Sequence, residues 1–283
     1  MPNKKTPRQT TTRKTAPNQP ARKTTPAPTN LRERIVEHLQ ELKVPLAAEQ
    51  LDEILAASEQ TKSSHLEFLE RVLSGPANRR RENGIARRIH QAGFRDQATL
   101  ENFNWKFNAK SIDRVQMEQL ATGDFVRRGD NLVFVGQSGL GKSHLIQSIG
   151  RSCCVQGYRV CYRTSAELLS KLGQSLADGT TAKRIRQYAR YDLLILDEFG
   201  FDKLEREDFP QASSLLYKVI DSRTRSRSTA LVTNIDFDAW GDYLGDPPMA
   251  MAFLDRVVDG AMILKLRGKS YRAHRAQKPS GGK

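Results

Sequence analysis

An α/β domain on a parallel sheet, preceded by a small helical domain and a disordered basic N-terminal arm, is the fold class this sequence predicts. Three observations predict it. The apolar run Leu132-Val133-Phe134-Val135 leads directly into Gly136-Gln137-Ser138-Gly139-Leu140-Gly141-Lys142-Ser143, a strand that turns through glycines into a helix. A second apolar run, Leu193-Leu194-Ile195-Leu196, ends in Asp197-Glu198 and reads as a central strand buried on both faces. Strand-like and helix-like stretches alternate around these two, the pattern that builds a parallel sheet.

Composition narrows the partners. The chain has 283 residues, with 46 Lys and Arg against 32 Asp and Glu, a net charge of +14. Such an excess suits a polyanion, and nucleic acid is favoured over a membrane surface because no amphipathic basic helix is evident. No stretch reaches the length of a membrane-spanning helix and no hydrophobic signal core opens the chain, so a cytoplasmic protein with no membrane partner is expected. Cys153, Cys154 and Cys161 lack C-x-x-C spacing and read as buried thiols. The five histidines are scattered without an H-x-x-x-H pair, which leaves a zinc site unsupported.

Residues 1–29 carry seven basic residues from Lys4 to Lys23, six prolines and no acid, the composition of a disordered basic arm. A transit peptide shares the lack of acids, but the prolines would break its amphipathic helix. A solubilising tail without a partner stays open. If about five phosphates are neutralised by the arm, its contribution to the log–log salt slope is roughly −4.5. Over 30–93 the pattern turns helical. Leu31, Ile35, Val36, Leu39 and Leu42 follow a candidate cap at Asn30, and Leu51, Ile54 and Leu55 mark a second helix. Leu66 to Leu73 mark a third, which Gly75-Pro76 is expected to end, giving three or four short helices. Arg79, Arg80, Arg81, Arg87 and Arg88 then surround Ile85 and Ile89, as on a helix with an apolar stripe and a basic face. A solvated face is the ordinary reading of such a run, and phosphate contact is the competing one, favoured by five arginines against the single acid Glu82.

Residues 94–130 read as a linker and leading helix. Asn102-Phe103-Asn104-Trp105-Lys106-Phe107 is expected to dock its aromatics on the following domain, plain core being favoured over packing under a nucleotide base. The large domain is expected over 131–275 and a disordered tail over 276–283. In it, glycines let the loop curl its N–H groups toward one anion, and the helix that follows offers its positive end. Gly136 through His144 are the candidate nucleotide contacts. Lys142 is placed to reach the β- and γ-phosphates and Ser143 to ligate Mg²⁺. Asp197, 55 residues beyond Lys142, fits the carboxylate that holds Mg²⁺, and Glu198 is placed to deprotonate an attacking water. Asn234 closes the strand-like run Thr229-Ala230-Leu231-Val232-Thr233 and could contact that water, turn capping being its ordinary reading. Arg256 lies on an otherwise apolar helix, where an intramolecular ion pair is the ordinary explanation.

Taken together these stretches resemble the AAA+ ATPases and, more narrowly, the IstB transposition helpers and their relatives the DnaC helicase loaders. Gly141-Lys142-Ser143-His144-Leu145, Asp197-Glu198-Phe199-Gly200-Phe201, Asp255-Arg256-Val257-Val258 and Gly268-Lys269-Ser270-Tyr271-Arg272 carry the resemblance, which covers about residues 30–275. It implies an ATPase that uses ATP and Mg²⁺, assembles as a homo-oligomer on duplex DNA and assists a DDE transposase encoded alongside. Arg256 then resembles the arginine finger that completes a neighbour's site. The basic helices over Ser165–Arg190, with Lys171, Lys183, Arg184, Arg186 and Arg190, resemble an insertion that lines a DNA channel. Phe199-Gly200-Phe201 stands where Leu-Gly-Tyr is usual, and Gln137-Ser138 where a proline is common. Little chain follows Arg272, which argues against a sensor 2 role for it. A helicase loader remains the nearest alternative, and a DNA-binding regulatory module with ATP as a structural ligand is the alternative from another class. A small-molecule P-loop kinase lacks a recognisable acceptor site or lid.

Overall fold

The structure, a computed structural model, describes residues 30–200, 211–224 and 226–277. The basic arm, Phe201, the expected helix start at Pro210 and the last six residues lie outside the described residues. The chain divides into two compact units, Met1–Ala77 and Asn78–Lys283.

In the first unit, α1 (Leu31–Glu41) begins at the expected cap, where the Asn30 side chain accepts from the Glu33 N–H. Helix α2 (Ala48–Thr61) is tied to it by Arg32, whose Nε donates to Asp52 at 2.6 Å. Leu51 and Val72 are buried. Helix α3 departs from the sequence reading. It runs unbroken from His65 to Ala92 with Pro76 inside it, where Gly75-Pro76 is expected to stop it. A proline removes only its own N–H bond and crowds one preceding carbonyl. The strong helix formers on both sides of it, with the Ser64–Glu67 capping exchange at the start, outweigh that local cost. The division between the units falls one residue past Pro76.

The second unit is a five-stranded parallel sheet in the order β2-β3-β4-β1-β5. Its strands are β1 (Leu132–Val135), β2 (Val160–Thr164), β3 (Leu193–Phe199), β4 (Ser228–Thr233) and β5 (Met262–Lys265). Alternation along each strand feeds two cores. Leu132, Phe134, Tyr162, Ile195 and Val232 face a layer that includes Leu145, Ile146 and Ile149 from α6 (Lys142–Val155) and Met117 and Leu120 from α4 (Arg114–Ala121). Val133, Val135, Cys161, Leu194, Leu196 and Leu231 face the other layer, built by α7 (Ser165–Ala177), α8 (Thr181–Ala189), α9 (Ala212–Asp221) and α11 (Pro247–Val258). Burial on both faces is why β1 and the first four residues of β3 read as unbroken apolar runs. The short helices α5 (Asp124–Arg128) and α10 (Trp240–Leu244) complete the series before α12 (Tyr271–Gln277).

Helix α7 is capped by Thr164, with a reciprocal capping box to Glu167. Strand β5 escaped the periodicity because only Leu264 of its four residues is buried, as befits an edge. The three cysteines are free and buried, as expected.

Arg223, absent from the sequence reading, staples the second layer. It is 1 % exposed, and its guanidinium donates to the Tyr188, Tyr191 and Ser228 carbonyls and to Thr229 Oγ1. Burial pushes its pKa down to about 9, so it still carries its charge at neutral pH, distributed over oxygens rather than one carboxylate. It thereby joins the end of α8 to the beginnings of β3 and β4. Arg223→Met should strand these acceptors and lower the unfolding free energy by roughly 3 kcal/mol, read as a reduced urea midpoint of the sheet unit.

Candidate nucleotide site

The carboxyl ends of β1, β3 and β4 open into one cavity of about 430 Å³, within the range of small-molecule sites. The loop after β1 forms one wall. Gly139 and Gly141 sit at φ +84° and +90°, a conformation side-chain-bearing residues rarely adopt, and a Cβ on Gly141 would stand 2.8 Å from the Phe103 ring. Ser138 through His144 line the cavity. The first turn of α6 brings there backbone N–H groups that a helix leaves without internal partners. Gly136 and Gln137 stand outside the lining, and their carbonyls accept from the Lys142 ammonium at 2.5 and 2.8 Å. Burial pushes the Lys142 pKa down, Asp197 opposes that shift, and Arg272 adds to it.

Strand β3 supplies the opposite wall by breaking its own register. Its pairing with β4 slips between Leu196 and Phe199, and Glu198 takes φ +58°. This bulge lets two consecutive carboxylates reach one cavity, where an ideal strand would send them to opposite faces. Asp197 is 2 % exposed. Its Oδ2 accepts from the Tyr162 hydroxyl at 2.7 Å and its Oδ1 from the Glu198 N–H at 2.8 Å. Burial, then the Asp197 charge, raises the Tyr162 phenol and keeps it the donor. Glu198 is about half exposed and its carboxylate faces Arg95. Asn234 lines the cavity just past β4 with an exposed side chain.

Two further segments line the cavity. Asn102, Phe103, Asn104 and Phe107 from the linker line it. The His144 Nε2–H donates to the Thr99 carbonyl at 2.9 Å while its ring packs on Phe103, so His144 holds the linker. From the other end of the chain, Tyr271, Arg272 and Arg275 of α12 line the same cavity. The side-chain amide of Asn108 both donates to the Lys269 carbonyl and accepts from its N–H, and the Tyr271 N–H donates to the Gly139 carbonyl. Arg272, for which the short remaining chain argues against a sensor 2 role, lines the cavity from this short helix, next to the segment that the linker holds through Asn108. Tyr162, Asp96, Arg95 and Arg275 carry no local motif; Tyr162 lies in the middle of β2, in register with Ile195, and only its hydroxyl reaches Asp197.

The remaining candidates lie elsewhere. Arg256 is outside the cavity, its Nε donating to Asp221 and its Nη1 to Asp255, each at 2.9 Å. Arg79, Arg80, Arg81 and Arg87 are exposed on α3, whereas Arg88 donates to the Cys154 carbonyl at the end of α6. Lys183, Arg186 and Arg190 line a second concavity with Arg159 and Tyr191. Arg184 pairs with Gln187, and Lys171 is half-buried on α7.

Residues 37–279 match the family model of the IstB-like ATP binding proteins. The chain belongs to that family. It is 31 % identical over 243 residues to a protein of Geobacillus stearothermophilus named as an ATP-binding protein of insertion sequence IS5376, covering 86 % of this chain and 94 % of that one. To its counterpart in insertion sequence IS232 of Bacillus thuringiensis subsp. berliner it is 30 % identical, covering 86 % and 95 %. Among solved structures, the crystal structure of DnaI superposes with a TM-score of 0.50 at 18 % identity, over 60 % of this chain and 92 % of that one. The fold is thus that of the AAA+ P-loop proteins, as the sequence predicts. No helix among the described residues is long and apolar enough to cross a membrane.

The crowded glycine gives the site its direct check. Gly141→Ala should force Phe103 aside or distort the loop, weakening ATP binding by tenfold or more while the sheet's unfolding transition stays in place. Titration calorimetry of the variant against ATP reads the change.

Proposed function

We propose that this IstB-like protein is a Mg²⁺-dependent ATP hydrolase that assembles on duplex DNA and assists the transposase of an insertion sequence. One observation carries the reading: Lys142, Asp197, Glu198 and Asn234, from three different strand ends, line a single cavity at the start of α6. The relatives' names supply the insertion-sequence context.

In this reading the amides of Ser138–Ser143 and the Lys142 ammonium bind the triphosphate, Lys142 exchanging its loop carbonyls for phosphate oxygens. Ser143 and Asp197 would hold Mg²⁺. The donor set fits, because each Asp197 oxygen takes one hydrogen bond and keeps a further lone-pair direction. When bound, the ion neutralises charge building on the phosphates. Glu198 accepts the proton of the attacking water, and Asn234 orients that water. Phe103 and Phe107 offer ring surface to the base, and Arg272 and Arg275 add positive charge at the phosphate end.

Arg256 cannot serve the cavity of its own chain from its place beside Asp221 and Asp255, which suits a residue donated to a neighbour. The exposed arginines of α3 and the cluster of Lys183, Arg186 and Arg190 suit phosphates of duplex DNA, read without strong sequence preference.

Glu198→Gln should retain ATP while hydrolysis falls by 10²–10⁴-fold, and Arg256→Ala should be comparably slow. Mixing the two should recover phosphate release, since a Glu198→Gln subunit can donate Arg256 to the intact cavity of an Arg256→Ala neighbour. Full turnover by Glu198→Gln alone removes its role as base. Mixtures that stay silent at every ratio return Arg256 to an intramolecular ion pair.

A further inference from the structure

The second concavity has a volume of about 620 Å³ and is lined by Arg159, Lys183, Arg186, Gln187, Arg190 and Tyr191. Arg159 immediately precedes β2, and Tyr191 stands two residues before β3. Because these strands run parallel, both residues mark amino ends, whereas Asp197 and Glu198 stand at the carboxyl end of β3. The concavity and the cavity of the phosphate loop therefore occupy opposite ends of the sheet.

Its floor is rigid. Arg159 and Asp192 exchange bonds, the Asp192 N–H donating to the Arg159 carbonyl at 2.9 Å and the Arg159 N–H to Asp192 Oδ2 at 2.8 Å. The buried Arg223 holds the carbonyls of Tyr188 and Tyr191 from beneath. Its wall is a surplus of charge. Positions 183, 186, 187 and 190 recur at three- and four-residue spacing, which sets them on one face of α8 and its cap, while Ile185 and Tyr188 pack on the core. The acid nearby, Asp192, is already held by Arg159 and Arg227. Among the described residues, no hydrogen bond or ion pair engages the side chains of Lys183, Arg186 or Arg190.

Cations alone suit any run of phosphates. Tyr191 narrows the choice, because it is half-buried against the core and still lines the concavity. An intact duplex stacks its bases on one another inside the phosphates and would offer this ring nothing to meet. A space of this volume also admits one nucleotide unit, not the width of a duplex. A base outside the stack presents its face, and an aromatic ring among cations is the arrangement that holds unstacked nucleotides.

We propose that this concavity takes one unpaired nucleotide of the bound DNA, its base against the Tyr191 ring and its flanking phosphates on Lys183, Arg186 and Arg190. This rests on the reading of DNA as the partner of the basic surface. It adds that the protein recognises a local distortion of the duplex by shape.

Fluorescence anisotropy of the full chain with a slowly hydrolysed ATP analogue, at one fixed salt concentration, tests it on three duplexes of one sequence. One is fully paired, one carries a single extra thymidine, and one carries the same bulge without its base. Wild type should bind the base-bearing bulge about tenfold more tightly than the abasic one, which has the same phosphates and backbone break. Tyr191→Phe should keep that preference. Tyr191→Leu should abolish it and leave affinity for the paired duplex unchanged, and Arg186→Ala should weaken binding of all three together. Equal binding of the two bulges by wild type overturns the proposal, as does a preference that survives in Tyr191→Leu. An equal loss on all three duplexes in Tyr191→Leu also overturns it, making that ring structural. Unchanged binding by Arg186→Ala overturns it and gives these cations to another anion, such as an acidic peptide. If wild type binds none of the duplexes, DNA fails as the partner and this site with it; if it binds all three equally, the site alone fails.

Discussion

Strand β3 must be apolar enough to lie buried between two helical layers and yet deliver two adjacent carboxylates to one cavity at its end. An ideal strand cannot do this, because neighbouring side chains leave on opposite faces. The bulge between Leu196 and Phe199 resolves the conflict: Asp197 turns inward onto the Tyr162 hydroxyl, and Glu198, at φ +58°, turns outward toward water. In the proposed function a division of labour between the two acids follows from that geometry: the buried one, hydrogen-bonded and fixed, would hold the metal, and the half-exposed one would act as base.

Around this point the cavity is closed by parts of the chain far apart in sequence. The linker before β1 and the segment after β5 meet through Asn108 and Lys269, and each presses on the phosphate loop, Phe103 against Gly141 and Ser270 against Gly139. The glycines are therefore needed twice. Their positive φ shapes the anion cradle, and their missing side chains admit the two flaps that cover it. The linker and α12 line the cavity together with the loop, so a nucleotide filling it would lie against all three.

Much of this was legible in the sequence because it is local. The β1–loop–α6 unit, the apolar β3 with its terminal acids and the strand ending near Asn234 each announce themselves within about ten residues. What escaped depends on contacts between distant positions. Tyr162 pairs with Asp197 only once β2 and β3 are side by side, and Arg95 reaches Glu198 across 103 positions. Arg272 comes to the cavity on a segment held by the linker through Asn108 and Lys269, 161 positions apart, which no local motif announces. Pro76 misled for the opposite reason: a strong local breaker was outweighed by the helix around it.

In the proposed assembly the cavity is half of a site that a neighbour completes on DNA. Electron microscopy of the full chain with duplex DNA and a slowly hydrolysed ATP analogue is the decisive experiment. A ring or spiral of subunits around or along the duplex is expected, each cavity facing Arg256 of the adjacent subunit, which has left Asp221 and Asp255. Isolated subunits on the duplex, with Arg256 still paired to both aspartates of its own chain, would contradict it.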